Sequence, residues 1–227
     1  SVSVITRADI DKSQAATLAD LMQGEAGFEF GRNGGPGTTT SFFLRGQDSI
    51  NTVVLIDGVK AQVDQIGAIQ TTDFPLHQIE RVEILKGNVS ALYGNGAIGG
   101  VINIITRENK GTPKAYGSVS VGSYKTTKAF VGYGGTVEDV NFDLNVGQDQ
   151  STGFSAVNTT QKTLANPDAD GYQNQYASAK FEKRISSDTK IGARLNYNLS
   201  HVDYDNGDSF SNAPTDVYKF NRTTESV

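Results

Sequence analysis

The sequence predicts a small α+β domain over residues 1–113, followed over residues 114–227 by long antiparallel β strands. Three observations predict this. Short apolar runs and one helix-like segment are separated by glycine-rich loops in the first half. Gly111-Thr112-Pro113 is a chain breaker, and the texture changes after it. Beyond that point apolar and polar residues alternate with a period of two, the signature of a strand with one apolar face. A membrane barrel and a soluble sandwich produce the same alternation, so periodicity leaves both open.

In chain order, Val2 to Thr6 reads as a short strand and Thr6 to Ile10 as a turn into polar sequence. Thr17 to Met22 reads as a short helix with Leu18, Leu21 and Met22 on one face. Ala26 to Phe30 is a strand, and Asn33-Gly34-Gly35-Pro36-Gly37 is a loop. Thr40 to Leu44 and Thr52 to Ile56 are strands, the second ending in the tight-turn pair Asp57-Gly58. Residues 59–73 lack periodicity and read as an exposed loop.

The segment from Ile79 to Thr106 reads as strand, helical turn, glycine loop and strand. Val82 and Ile84, then Val101, Ile102, Ile104 and Ile105, are residues that a buried strand favours. Gly94, Gly96, Gly99 and Gly100 between them permit a sharp turn and close packing. Gly94-x-Gly96-x-x-Gly99 matches a dinucleotide fingerprint in letters only. That fingerprint needs a strand before it and a helix after it, and here the order is reversed.

In the second half, Ala115 to Val121, Val140 to Val146 and Ile191 to Leu199 alternate cleanly. Residues 134–139 and 186–190 read as short turns. Residues 148–171 and 201–219 read as long polar loops.

Composition narrows the function classes. The 227 residues include no Cys, no Trp and 25 Gly, with a net charge of −5. Without Cys there is no disulfide framework, thiolate metal site or thiol nucleophile. Mild acidity argues against a nucleic-acid footprint. No apolar run reaches the roughly 18 residues of a membrane helix, which leaves barrel strands open. His77 and His201 stand alone, and Glu80 and Glu83, at spacing three on a strand, point to opposite faces. Catalysis is not expected. No signal peptide is visible before the first strand, so the N-terminus reads as processed, trimmed or disordered in the parent protein.

The acidic loops are the main chemical feature. Asp168 and Asp170 precede Gly171, and Asp203, Asp205, Asp208 and Asp216 cluster further on. Hard oxygen donors on loops suit Ca²⁺, which takes about 6–8 oxygens in flexible geometry. No EF-hand is complete, so such a site would be composed from two loops. The competing reading is that Asp, Asn and Gly simply favour solvated turns.

IERVEILKGNVSALYGNGAIGGVINIIT, with Leu44-Arg45-Gly46 and Val53-Val54-Leu55-Ile56-Asp57-Gly58-Val59 upstream, resembles the plug domain of TonB-dependent outer-membrane receptors. The resemblance implies an α+β plug domain over 1–113, followed by antiparallel transmembrane β-barrel strands over 114–227. Such receptors are 22-stranded barrels closed by a plug. Only about five or six strands fit after residue 113, so the expectation is an incomplete barrel, the N-terminal part of a longer receptor. It also implies a Gram-negative outer-membrane location, a nutrient ligand, and coupling to TonB through an N-terminal box expected before Ser1. Residues 60–69 and the apex at Asn95-Gly96 would face the extracellular cavity, making Gln62, Val63, Asp64, Gln65, Asn95 and Gly96 the expected ligand contacts. Arg45, Glu80, Arg81, Glu83 and Lys86 would form ion pairs inside the plug or between plug and barrel.

Residues 111–220 are more specifically similar to the vitamin B12 (cobalamin) receptor branch, whose extracellular loops bind calcium. By matching position, the resemblance implies calcium ligands at Asp168, Asp170, Tyr204, Asp205 and Asp216. The pattern departs at Ser155 in Gly153-Phe154-Ser155, where the family has an acidic ligand; Asp149 or water would have to substitute. Two alternatives stand beside the cobalamin reading. One is a siderophore or haem receptor with the same plug. The other is a soluble calcium-binding β module used for recognition.

Overall fold

The structure is a computed structural model. It describes residues 1–227 except 14, 33, 36, 62, 64–66, 71–73, 95, 156–167, 205–217 and 227. The chain divides into two compact units, Ser1–Asn33 with Thr38–Arg107, and Gly34–Gly37 with Glu108–Val227.

The first unit is α+β. Its strands are β1 (Val2–Ile5), β2 (Phe28–Arg32), β3 (Thr39–Leu44), β4 (Thr52–Ile56), β5 (Val59–Lys60), β6 (Ile69–Gln70), β7 (Ile79–Lys86) and β8 (Gly100–Thr106). The helices are α1 (Arg7–Lys12), α2 (Leu18–Met22) and α3 (Ser90–Tyr93). A mixed sheet runs in the order β1-β7-β8-β4-β5, and β2-β3-β6 form a second sheet. β4 and β8 pair in parallel; β7 and β8 pair antiparallel. Strands covered on both faces read as continuous apolar runs, and β4 and β8 do so. Val54, Val82, Ile84, Ile102 and Ile104 join Leu18, Met22, Phe42 and Leu44 in one core. Val53, Leu55 and Val101 pack with Ala97 on the opposite face. Each fully buried aliphatic side chain contributes about 1.5–3 kcal/mol.

Local chemistry sets the element ends. Thr6 caps α1 in a capping box with Asp9, so the expected turn is a short helix. The Thr6 hydrogen bonds hold the Asp9 carboxyl below its ordinary pKa. Thr17 and Asp20 form the same box on α2, and Arg32 donates to both, at 3.1 and 3.2 Å. Thr17→Ala removes the cap and one Arg32 acceptor. It is expected to cost about 1 kcal/mol, read as faster hydrogen exchange confined to the α2 amides.

Asp57 and Gly58 both have positive φ, 50° and 85°, as the β4–β5 turn requires. The Asp57 carboxylate also accepts from the Thr106 amide and hydroxyl at 2.8 and 2.5 Å, tying the turn to β8. Residues 59–73 are not simply an exposed loop. Among those described, β5 and β6 are strands, and Ala61, Ala68 and Ile69 are buried. Of the plug charges named from the sequence, Lys86, Arg81 and Glu83 pair within the plug: Lys86 reaches Glu25 at 3.0 Å, and Glu83 accepts from Arg81 at 2.7 Å and from Asn103 at 3.0 Å.

The second unit carries a six-stranded antiparallel sheet: β9 (Lys114–Gly122), β10 (Thr126–Val137), β11 (Val140–Ser151), β12 (Tyr172–Arg184), β13 (Lys190–Tyr204) and β14 (Tyr218–Ser226), in sequence order. The spans from β10 to β13, 12 to 15 residues, exceed the roughly 9–11 needed to cross a bilayer. Gly134 and Gly135, expected in a turn, lie inside β10. The turn is Glu138-Asp139, both at positive φ.

The two faces of this sheet are inverted relative to a soluble sandwich. Val119, Val121, Val131, Tyr133, Leu144, Val146, Ile191, Leu195 and Tyr197 are exposed, up to 82% at Val121. Asp143, Asn145, Asn174, Asn198 and Ser200, on the other face, are buried. Buried polar groups need hydrogen bonds. Asp143 accepts from Tyr116 at 2.5 Å, from Asn145 at 3.0 Å and from Asn109, while Ser200 donates to Asn174 at 2.6 Å. Apolar outside and hydrogen-bonded polar inside is the arrangement of a transmembrane barrel wall. No helix among the described residues is long and apolar enough to cross a membrane.

Candidate functional site

Strand alternation places residues 123–125, the end of β11, the start of β12, the end of β13 and the start of β14 at one rim, and the short connections 138–139 and 185–189 at the other; the long stretches of sequence between strands belong to the first rim. Long loops lie outside and short turns inside the cell envelope in such barrels. The candidate site is therefore the long-loop rim.

Its base is stitched by backbone and hydroxyl hydrogen bonds. The Tyr124 carbonyl accepts from the Thr152 amide at 2.9 Å, the Thr152 hydroxyl at 2.7 Å and the Ser151 hydroxyl at 3.2 Å. The Tyr124 and Phe154 rings pack at 5.2 Å. The Asp203 amide donates to the Gly171 carbonyl at 2.8 Å, continuing the β12–β13 ladder past Tyr172. That bond sets Asp170, just before Gly171, beside the end of β13, where Tyr204 stands.

Asp170 is 5% exposed, and Asp168 is half-buried. Gly153, at φ 64°, lies directly against the Asp170 carbonyl, where a side chain would have no room. Gly37 packs on the Tyr172 side chain: a Cβ there would stand 2.5 Å from the Tyr172 Cβ. A Cβ on Gly35 would lie 3.6 Å from the Asp170 carbonyl oxygen. Sequence reasoning assigned Gly34 to Gly37 only to a loop. Its run of glycines marks a place where another backbone can approach closely, but nothing in the sequence names the Asp170–Tyr172 segment as the neighbour.

Of the expected calcium ligands, the structure thus sets Asp170 beside the Tyr204 end of β13, with Asp168 two residues before it in the chain. Asp205 and Asp216 lie outside the described residues. Among the described residues, no group of three or more His, Asp or Glu side chains stands ready to hold a metal. Two carboxylates and a phenol oxygen are hard donors of the kind Ca²⁺ takes, and more are needed to complete a shell. Of the expected ligand contacts, Gln62, Asp64, Gln65 and Asn95 lie outside the described residues. Val63 is 41% exposed. Gly96, at φ 98°, packs close to the Ile50 carbonyl, so a tight backbone path accounts for the glycine.

The comparisons with known proteins agree with this architecture. Residues 1–101 match the TonB-dependent receptor plug domain. The vitamin B12 transporter BtuB of Vibrio vulnificus (strain CMCP6) is 31% identical over 220 residues, 91% of this chain and 33% of that protein. Among solved structures, the siderophore receptor PirA from Acinetobacter baumannii superposes with a TM-score of 0.66 at 22% identity, covering 89% of this chain and 31% of its own. A ferric enterobactin receptor (PfeA) from Pseudomonas aeruginosa gives 0.60 at 21%, covering 89% and 33%. At such identities these structures establish the fold alone. The chain spans about a third of the length of these relatives. The family consists of receptors and transporters, not enzymes. Residues 1–101 are a TonB-dependent receptor plug domain, and over about nine-tenths of its length this chain is similar to receptors and transporters of the Gram-negative outer membrane.

Proposed function

We propose that this chain supplies the plug and first barrel strands of a receptor that takes up cobalamin, with calcium ordering its extracellular loops. The observation that carries the reading is the 31% identity to a vitamin B12 transporter, which extends beyond the plug across the barrel strands. Ligand-contact loops vary most within a fold, so similarity that includes them speaks to the ligand more than plug similarity does. The rim geometry supports the metal: Asp168 and Asp170 would hold the ion with Tyr204, and Asp205 and Asp216 would complete the shell. Calcium would supply charge that draws these carboxylates together and so orders the loops. Gln62, Val63, Asp64, Gln65, Asn95 and Gly96 are the proposed plug contacts to the ligand. TonB, reached through an N-terminal box, would drive release, with bound ligand biasing the plug between two states.

The test is cyanocobalamin binding to the intact receptor containing this chain, in detergent, with calcium or with chelator. Tight binding in calcium that weakens at least about tenfold in chelator, and likewise in Asp168→Ala, is the expected result. Asp168 is half-buried, so its loss leaves the strand ladder intact; Asp170→Ala is the second variant. Calcium-independent binding would discard the metal and keep the ligand. Absent binding in both conditions, with ferric siderophore or haem bound instead, would replace cobalamin with an iron chelate.

A further inference from the structure

The exposed apolar face of the barrel strands is not uniform. The strand registers resolve it into cross-strand rows. Tyr133, Leu144, Ala179 and Leu195 form one row, and Val131, Val146, Ala177 and Tyr197 the next toward the long-loop rim. The following row is Ala129, Gln148, Gln175 and Leu199, and beyond it come Thr127, Gln150, Gln173 and His201. The face therefore changes from apolar to amide-rich within two rows of the rim.

A groove of about 640 Å³ lies at that change. This is within the roughly 300–1,000 Å³ of small-ligand sites. Ala129 and Ala177 are its small residues, Val146 and Tyr197 its larger apolar ones, and Gln148 and Gln175 stand at its rim end. The amides form a chain: Gln175 donates to Gln148 at 3.3 Å, and Gln148 donates to Gln150 at 3.1 Å. Each carboxamide has two N–H groups and an oxygen with two lone pairs, so the chain retains capacity for a further partner.

We propose that this groove is a binding site for an acyl chain of the acylated-sugar lipid of the outer leaflet, the lipid A class. The apolar floor takes the hydrocarbon. The glutamine amides meet the linkage carbonyls and sugar hydroxyls at the depth where the chain ends. The lining carries no Lys or Arg, and phosphate recognition favours Arg or Lys. Neutral amides pair with the amide-linked acyl carbonyls and ring hydroxyls that an acylated amino sugar presents beside its chains, groups that a glycerophospholipid, with ester carbonyls alone at the acyl linkage, does not offer. The site is on the lipid-facing side of the wall. It rests on the family's membrane location and is independent of which nutrient is carried.

The experiment uses the intact receptor, delipidated in mild detergent, with lipid A and phosphatidylglycerol titrated separately and read by native mass spectrometry. The expected result is saturable lipid A binding that exceeds phosphatidylglycerol binding. Ala177→Phe fills the groove and is expected to weaken lipid A about tenfold. Ala179→Phe, one row further from the amides, is expected to leave it unchanged. Gln148→Leu with Gln175→Leu keeps the apolar floor and removes the amides, and is expected to abolish the preference for lipid A. If Ala177→Phe does not assemble, the double glutamine variant decides. Equal binding of the two lipids by the wild type, no binding, or unchanged preference in the glutamine variant would overturn the proposal.

Discussion

Gly100→Ala is expected to cost the plug about 3 kcal/mol or more, among the largest effects available from one methyl group. Gly100 opens β8 at φ 151°, a backbone conformation that L side chains rarely adopt. An added Cβ would drive into the Leu85 carbonyl and stand 2.9 Å from the Leu44 Cδ1. Neither neighbour can move cheaply. The Leu85 carbonyl belongs to the β7–β8 ladder, where Lys86 pairs with Gly100 and Leu85 with Val101. Leu44 is fully buried in the main core. Conformational strain and overpacking therefore act together. The measurement is native-state hydrogen exchange in the intact receptor. The β7 and β8 amides should lose protection while the β10 to β13 amides keep theirs. Equal protection in wild type and variant would show that the glycine is not required.

Leu144→Arg is expected to cost about 2–4 kcal/mol in membrane assembly. Leu144 sits in the middle of the exposed apolar face, 38% exposed, between Tyr133 and Ala179. In lipid, an arginine at that depth must carry its charge through hydrocarbon. In a soluble β module the same exposed position would tolerate arginine within about 0.5 kcal/mol. Urea titration of the intact receptor in lipid vesicles distinguishes the two. A large loss of stability supports a barrel wall, and a neutral outcome supports a water-soluble sheet.

The parts of the fold that were legible in the sequence share one property: a local pattern strong enough to fix local geometry. The strand, helical turn, glycine loop and strand from Ile79 to Thr106 are present as β7, α3 and β8, because β-branched runs and glycines act over short range. Asp57-Gly58 forms its turn for the same reason. The period-2 alternation of β11 and β13 is realised on two chemically opposite faces, although alternation could not say which face meets which medium.

What was not legible depended on distant partners. The parallel pairing of β4 with β8 joins residues far apart in sequence and leaves no local mark. Residues 59–73 read as exposed because Ala61, Ala68 and Ile69 are too isolated to make a period, yet tertiary packing buries them. Gly134 and Gly135 drew the expected turn to themselves. Their missing Cβ atoms instead admit Asn109 and Pro113 against β10, and the turn falls on Glu138-Asp139. At the rim, the spacing of Asp168 and Asp170 was visible in the sequence. The burial of Asp170 and its closeness to Gly153 came only with the β11–β12–β13 ladder, and its closeness to Gly35 only with the approach of a segment distant in sequence.

The most direct test of the account is a cysteine scan along β11. This chain has no native Cys, so within it each introduced thiol is a single labelling site once any cysteines elsewhere in the intact receptor are replaced by serine. Labels at Phe142→Cys, Leu144→Cys and Val146→Cys in the membrane-reconstituted receptor should collide with oxygen, which concentrates in lipid, and be shielded from a water-soluble nickel chelate. Labels at Asn141→Cys, Asp143→Cys and Asn145→Cys should show weak oxygen collision. That period-2 contrast is the result predicted for a barrel wall whose apolar face meets the bilayer. Free access of the nickel chelate to Leu144→Cys and Val146→Cys would contradict it.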